Sequence, residues 1–122
     1  MFNKHTETRV ETLICGELRT AKEQHGEKFN SLHEAYAVAL EELEEANVDF
    51  DNVKTVFSYF WEDITANDDP TNDLIDAKHY AVEAIKELAQ FAAMIDKTLE
   101  TLEKRKEAST EKISVVQKGD KK

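Results

Sequence analysis

The 122-residue chain has little of what tight turns require: three glycines and one proline. A sandwich or barrel needs a turn after every short strand, so this scarcity excludes a β-rich fold. A single cysteine, Cys15, excludes an internal disulfide and fits a reducing compartment. No apolar run reaches the length of about 18 residues that a membrane span needs. The opening MFNKHTETRVE lacks the apolar core of a secretory signal. These absences leave an all-α domain, expected in the cytoplasm with no membrane partner.

What the chain does have is acid: 26 Asp and Glu against 16 Lys and Arg, a net charge of −10. The charge is uneven. Residues 1–31 sum to zero, 32–69 to −10, 70–102 to −3 and 103–122 to +3. A surface this acidic repels phosphate backbones, which argues against direct nucleic-acid binding. It attracts cations, basic partners or a metal-bound polyphosphate.

Between Ser31 and Ala66 there is no glycine or proline. Tyr36, Ala39, Leu43, Ala46, Phe50, Val53, Phe57, Phe60 and Ile64 recur at alternating steps of 3 and 4. That is a helical seam of period 3.5. Asn30 or Ser31 can cap it, with Glu34 as the capping-box partner. The pattern predicts one helix over 31–66, roughly 50 Å long, with NVDFDN at 47–52 as its weakest stretch. NDDPTN at 67–72 is the one strong turn. A second seam through Leu74, Ala77, Ala81, Ala84, Leu88, Phe91 or Ala92, Ile95, Leu99 and Leu102 predicts a helix over 73–106, folding back antiparallel on the first. Val10, Leu13, Ile14, Leu18 and Ala21 predict a shorter helix over 5–25, ended by Gly26. Residues 1–106 therefore read as one helical domain, and the basic stretch 107–122 as a flexible tail. A long hairpin cannot bury both its faces. Phe50, Phe57, Tyr59, Phe60 and Trp61 crowd one end, so two hairpins are expected to complete a four-helix core as a dimer or tetramer.

With Leu43 at the centre of the core face, Glu42 and Glu45 fall about 100° or more to one side, continued by Asp49 and mixed with Val38 and Val56. On the later helix a similar stripe holds Asp76, Tyr80, Glu83, Glu87, Gln90 and Met94. Antiparallel packing sets Glu42 and Glu45 level with Glu87 and Gln90. Carboxylates on a covered face repel unless a cation or donor is near. Hard oxygen ligands on rigid helices suit Mg²⁺ or Mn²⁺. The common alternative is a solvated acidic face. Cys15 lacks a neighbouring cation and reads as buried filler. His25 and His33 flank the loop after the first helix and read as solvent or capping residues. Arg19, Lys22 and Gln24 lie where the first helix could reach phosphates, or make surface pairs such as Arg19 with Glu23.

The stretch RTAKEQHGEKFNSLHEAYAVALEELEEA, Arg19 to Ala46, resembles small MazG-like proteins, often phage-encoded, and the likeness extends to about Leu102. The family pairs an ExxE motif on one helix with ExxD on the next long helix. Glu42-Leu-Glu-Glu45 matches the first. Glu87-Leu-Ala-Gln90 stands at the second, with Gln where the family has Asp. The resemblance implies an oligomeric all-α nucleoside triphosphate pyrophosphohydrolase. Its acids, here Glu42, Glu45 and Glu87, would bind Mg²⁺ or Mn²⁺, with Gln90 or Glu83 completing the set, and the products would be a nucleoside monophosphate and pyrophosphate. A phage-encoded member would act in the host cytoplasm. Gln90 is a neutral, weaker ligand and no base, which raises a second reading: a nucleotide-binding protein that sequesters without cleaving. A third is an acidic interaction protein that blocks a basic host surface. It explains the charge but not the paired motif positions.

Overall fold

The computed structural model describes residues 3–120, and side chains over 3–109. Every regular element among the described residues is an α-helix: α1 (Lys4–His25), α2 (Leu32–Ala66) and α3 (Thr71–Asp120).

The boundaries follow local chemistry. Asn3 caps α1, its side chain accepting the Thr6 N–H at 2.9 Å. Gly26, at φ +95°, ends α1 in a conformation few side chains tolerate, and its N–H donates to the Lys22 carbonyl at 2.9 Å. Ser31 accepts the Glu34 N–H at 3.1 Å. Glu34 reaches back one residue further than a capping box requires and accepts the Asn30 N–H, also at 3.1 Å. α2 then runs unbroken through 47–52, because tertiary packing outweighs the modest propensity cost of Asn and Asp. Asn67 closes α2 in the left-handed region at φ 57°. Asp69 accepts the Thr71 N–H at 3.0 Å to start α3.

α3 continues to Asp120, past position 106, where the apolar seam stops. No glycine or proline occurs between Thr71 and Lys118, and Glu, Lys, Ala and Gln sustain helix without an apolar face. Of the expected tail, residues 121–122 and the side chains beyond 109 lie outside the described residues.

α2 and α3 lie side by side. Phe29, just before α2, meets Thr101, Glu42 meets Glu87 and Gln90, and Asp63 meets Asp73. The numbers rise on one side as they fall on the other, so the two chain directions oppose. α1 packs against α3. Ala21, Phe29, Ala35, Ala39, Ala93 and Met94 form the core, with Ile14, Leu18, Val38 and Phe91 against it. Alanine at the contact brings helix axes close.

The apolar seam of α2 divides. Its alanines, Ala39 and Ala46, are buried against α3, whereas Tyr36, Leu43, Phe50, Phe57 and Ile64 are exposed, Tyr36 at 70 %. These five sit one heptad apart and form a single outward stripe. Ile85, Leu88, Ile95, Leu99 and Leu102 make a matching stripe on α3, Leu99 at 58 % exposure. Trp61 is 66 % exposed. The helix pair meets on the flank that carries Glu42, not on the large apolar residues, because small side chains allow the closer contact. Cys15, expected as buried filler, is exposed. It faces a groove shared with Lys4, Glu7 and Arg19 on the far side of α1. Among the described residues no helix is long and apolar enough to cross a membrane.

Candidate functional site

Glu42 and Glu45 stand one turn apart on α2, and Glu87 faces them from α3. One oxygen from each lies within 4.8 Å of the others. Glu42 and Glu87 are partly buried and Glu45 is exposed, so the group has an inner pair and an outer member. Gln90, one turn after Glu87, sits among acceptors. Its amide orientation is assigned from those neighbours: the nitrogen donates to Glu42 Oε2 at 2.7 Å and to Glu87 Oε2 at 3.1 Å. The residue at the fourth motif position therefore ties two carboxylates together across the helix pair.

All three acids hold protons more tightly than free glutamate. Burial does most for Glu42, with Glu45 and Glu41 adding repulsion and a hydrogen bond with Glu87 opposing it. Burial also leads at Glu87, followed by its hydrogen bond with Glu42. At Glu45 the hydrogen bond with Glu87 is the largest cause, then burial. The inner carboxylates share a proton or need a positive partner.

The donor set fits a divalent cation. Oxygens around Mg²⁺ at about 2.1 Å are about 3 Å apart when adjacent and about 4.2 Å when opposite. Oxygens no more than 4.8 Å apart reach that spacing by side-chain rotations that close the gaps by up to about 2 Å. Hard carboxylate oxygens suit Mg²⁺ or Mn²⁺.

A cleft of about 300 Å³ opens beside Glu42 and Gln90, between them and α1. Ala21, Val38 and Met94 form its apolar floor, and Glu17, Thr20, Gln24 and His25 its polar rim. Of the candidates read from sequence, the structure brings together Glu42, Glu45, Glu87 and Gln90, with Gln24 in the adjoining cleft. Three others sit elsewhere. Glu83 pairs with Lys86 at 3.1 Å. Lys22 pairs with Glu100 at 2.6 Å and Glu27 at 3.8 Å. Arg19 lines the groove behind α1. Thr20 and His25 enter the cleft without a sequence signal of their own. Thr20 lies one turn before Gln24 and shares its face, whereas His25 sits about 100° further round at the end of α1; only the packing of α1 against α3 brings both to the cleft.

The chain matches no protein-family model, no curated protein and no solved structure.

Proposed function

We propose that this protein is a divalent-metal-dependent nucleoside triphosphate pyrophosphohydrolase of the MazG-like type, working in the cytoplasm. The observation that carries the reading is the convergence of Glu42, Glu45 and Glu87 from two helices beside a cleft with an apolar floor. When bound, a Mg²⁺ or Mn²⁺ ion supplies charge neutralisation for a polyphosphate and acidifies a water molecule. The chain's own residues do the rest. Glu42 and Glu87 hold the ligand positions from opposite helices. Glu45, the solvent-facing carboxylate, would complete the set with one oxygen and is placed to accept a proton from the attacking water with the other. Ala21, Val38 and Met94 accept the flat faces of a base, while Thr20, Gln24 and His25 offer its edge hydrogen bonds. A bond forms between the water oxygen and the α-phosphorus, and the α–β bridging bond breaks to leave pyrophosphate.

Gln90 favours a second reading, a nucleotide-binding protein that does not cleave. Its amide is spent on Glu42 and Glu87, and it brings no fourth negative charge. An acidic protein that blocks a basic surface fits less well. Such a protein carries its acids outward, and Glu42 and Glu87 are partly buried.

Incubation with a panel of nucleoside triphosphates and Mg²⁺ or Mn²⁺ separates the readings. Pyrophosphate release that disappears in Glu42→Gln supports the enzyme. Thermal stabilisation by a nucleotide without turnover supports the binder. No response to any nucleotide in either metal would rule out both.

We also propose that a second copy of the chain covers the outward apolar stripes of α2 and α3, giving a four-helix core. From Tyr36 to Ile64 the stripe is about 42 Å long. Two helices about 20 Å wide together present roughly 800 Å², the area each partner contributes to a standard stable interface. The five stripe residues on each helix carry no charge, which suits a self-complementary pairing.

A further inference from the structure

We infer that a second cleft, formed by the α1–α2 loop and residues 101–108 of α3, is a separate binding site for a small phosphate-bearing anion. The cleft has a volume of about 220 Å³ and is lined by Lys28, Asn30, Thr101, Lys104 and Arg105 around Phe29. Among the described residues no carboxylate lines it, although the chain has a net charge of −10.

The acids nearest in sequence are engaged or turned away. Glu27 and Glu100 are held by Lys22, and Glu34 by the backbone and side chain of Asn30. Glu103 and Glu107 project from the opposite side of α3 to Thr101, Arg105 and Ala108. Lys28, Lys104 and Arg105 consequently make no ion pair among the described residues. Three cations around one concavity repel one another, and an anion between them removes that repulsion.

The arrangement is fixed rather than incidental. Gly26 turns the chain out of α1, and Phe29 plugs it back, 4 % exposed. The Phe29 N–H donates to the Thr101 hydroxyl at 3.2 Å, and the Phe29 ring lies 4.3 Å from Lys97 Nζ. Lys97 and Thr101 are each 1 % exposed, so the loop that carries Lys28 is anchored to the rigid core of α3. Arg105 supplies a planar fork, and the two lysines supply point charges, the combination that recognises phosphate oxygens. Thr101 lies seven residues, about 10 Å, along α3 from Met94 in the near wall of the acidic cleft. The two clefts share no lining residue, so they are distinct sites.

The test titrates inorganic phosphate, pyrophosphate and a nucleoside diphosphate into the full chain in EDTA, followed by amide chemical shifts and calorimetry. Saturable shifts are expected at Phe29, Asn30, Thr101, Lys104 and Arg105. The double substitution Lys104→Gln/Arg105→Gln should weaken binding by about tenfold or more, and Glu42→Gln should leave it unchanged. Equal affinity for pyrophosphate and the diphosphate assigns recognition to the phosphates alone; tighter binding of the diphosphate assigns it to a nucleotide. Both substituted side chains are exposed, and unchanged far-UV circular dichroism shows that the fold is kept. Lys28→Gln, in the loop, provides a second reading of the same loss. Affinity weaker than about 10 mM for all three probes, retained affinity in the double variant, or loss in Glu42→Gln overturns the proposal.

Discussion

Replacing Glu87 by Gln separates two consequences of the carboxylate cluster that have opposite sign. Glutamine keeps the shape, and its carbonyl still accepts from Gln90, so packing is preserved. Without metal, the change removes one of three charges lying within 4.8 Å of one another. Two unit charges at that distance repel by about 3.5 kcal/mol at an effective dielectric of 20, and by about 1 kcal/mol in water. Exposure of Glu45 and proton sharing between Glu42 and Glu87 hold the real value near the lower figure. Glu87→Gln is therefore expected to stabilise the protein in EDTA by about 1 kcal/mol, a rise of about 3–6 °C in Tm for a chain of this size. With Mg²⁺ the order reverses. The wild-type protein gains about 2.7 kcal/mol at a hundredfold excess over Kd, and the variant, missing a ligand that spans the helix pair, gains little. Paired thermal melts in EDTA and in MgCl₂ read both arms. A variant less stable than wild type in EDTA, with an undiminished Mg²⁺ response, would refute the reasoning.

Three further outcomes follow from other parts of the molecule. At the end of α2, Asp63 faces Asp73 and holds its proton up to a pKa of about 6, first through the hydrogen bond with Asp73 and then through burial. A carboxyl with a folded pKa above its unfolded value contributes full stability below the unfolded pKa, and loses it as pH rises through the folded one. Stability should thus fall between about pH 4 and 6, and Asp63→Asn should flatten that part of a Tm–pH profile; an unchanged slope contradicts the pairing. Lys97 is 1 % exposed against the Phe29 ring; Lys97→Ala should cost about 2 kcal/mol in urea unfolding through the space it leaves, while Lys97→Met stays within about 1 kcal/mol. Leu43→Glu with Leu88→Glu should turn an assembly into a monomer by light scattering, with helix content retained; a wild-type monomer at high concentration contradicts the proposed pairing.

The positions of the helices were legible because their punctuation is local. Ser31 with Glu34, Gly26, and the acid-rich turn around Pro70 act over three or four residues, and each does so in the structure. The end of α3 was not legible, because residues past 106 have helix propensity without an apolar stripe. Nor was the face of contact. A seam of period 3.5 identifies one side of α2 as apolar, but it does not say which flank packs within the chain. The inner contact uses Ala35, Ala39 and Ala46, whose small apolar surface gives a weak signal beside Tyr36, Leu43 and Phe57. The motif acids could be placed level because antiparallel pairing follows from a short turn. The contribution of α1 could not: the rim residues Thr20 and His25 depend on how α1 is tilted, and Lys22, placed near phosphates by sequence, is instead taken up by Glu100 seventy-eight residues away.

The central claim is that Glu42, Glu45 and Glu87 hold one divalent cation between α2 and α3. Electron paramagnetic resonance of Mn²⁺ titrated into the wild-type chain and into Glu42→Gln tests it directly. One saturable Mn²⁺ per chain is expected in the wild type, with loss of that site in the variant. Absence of a bound Mn²⁺ signal in the wild type, or an identical isotherm in Glu42→Gln, would contradict it.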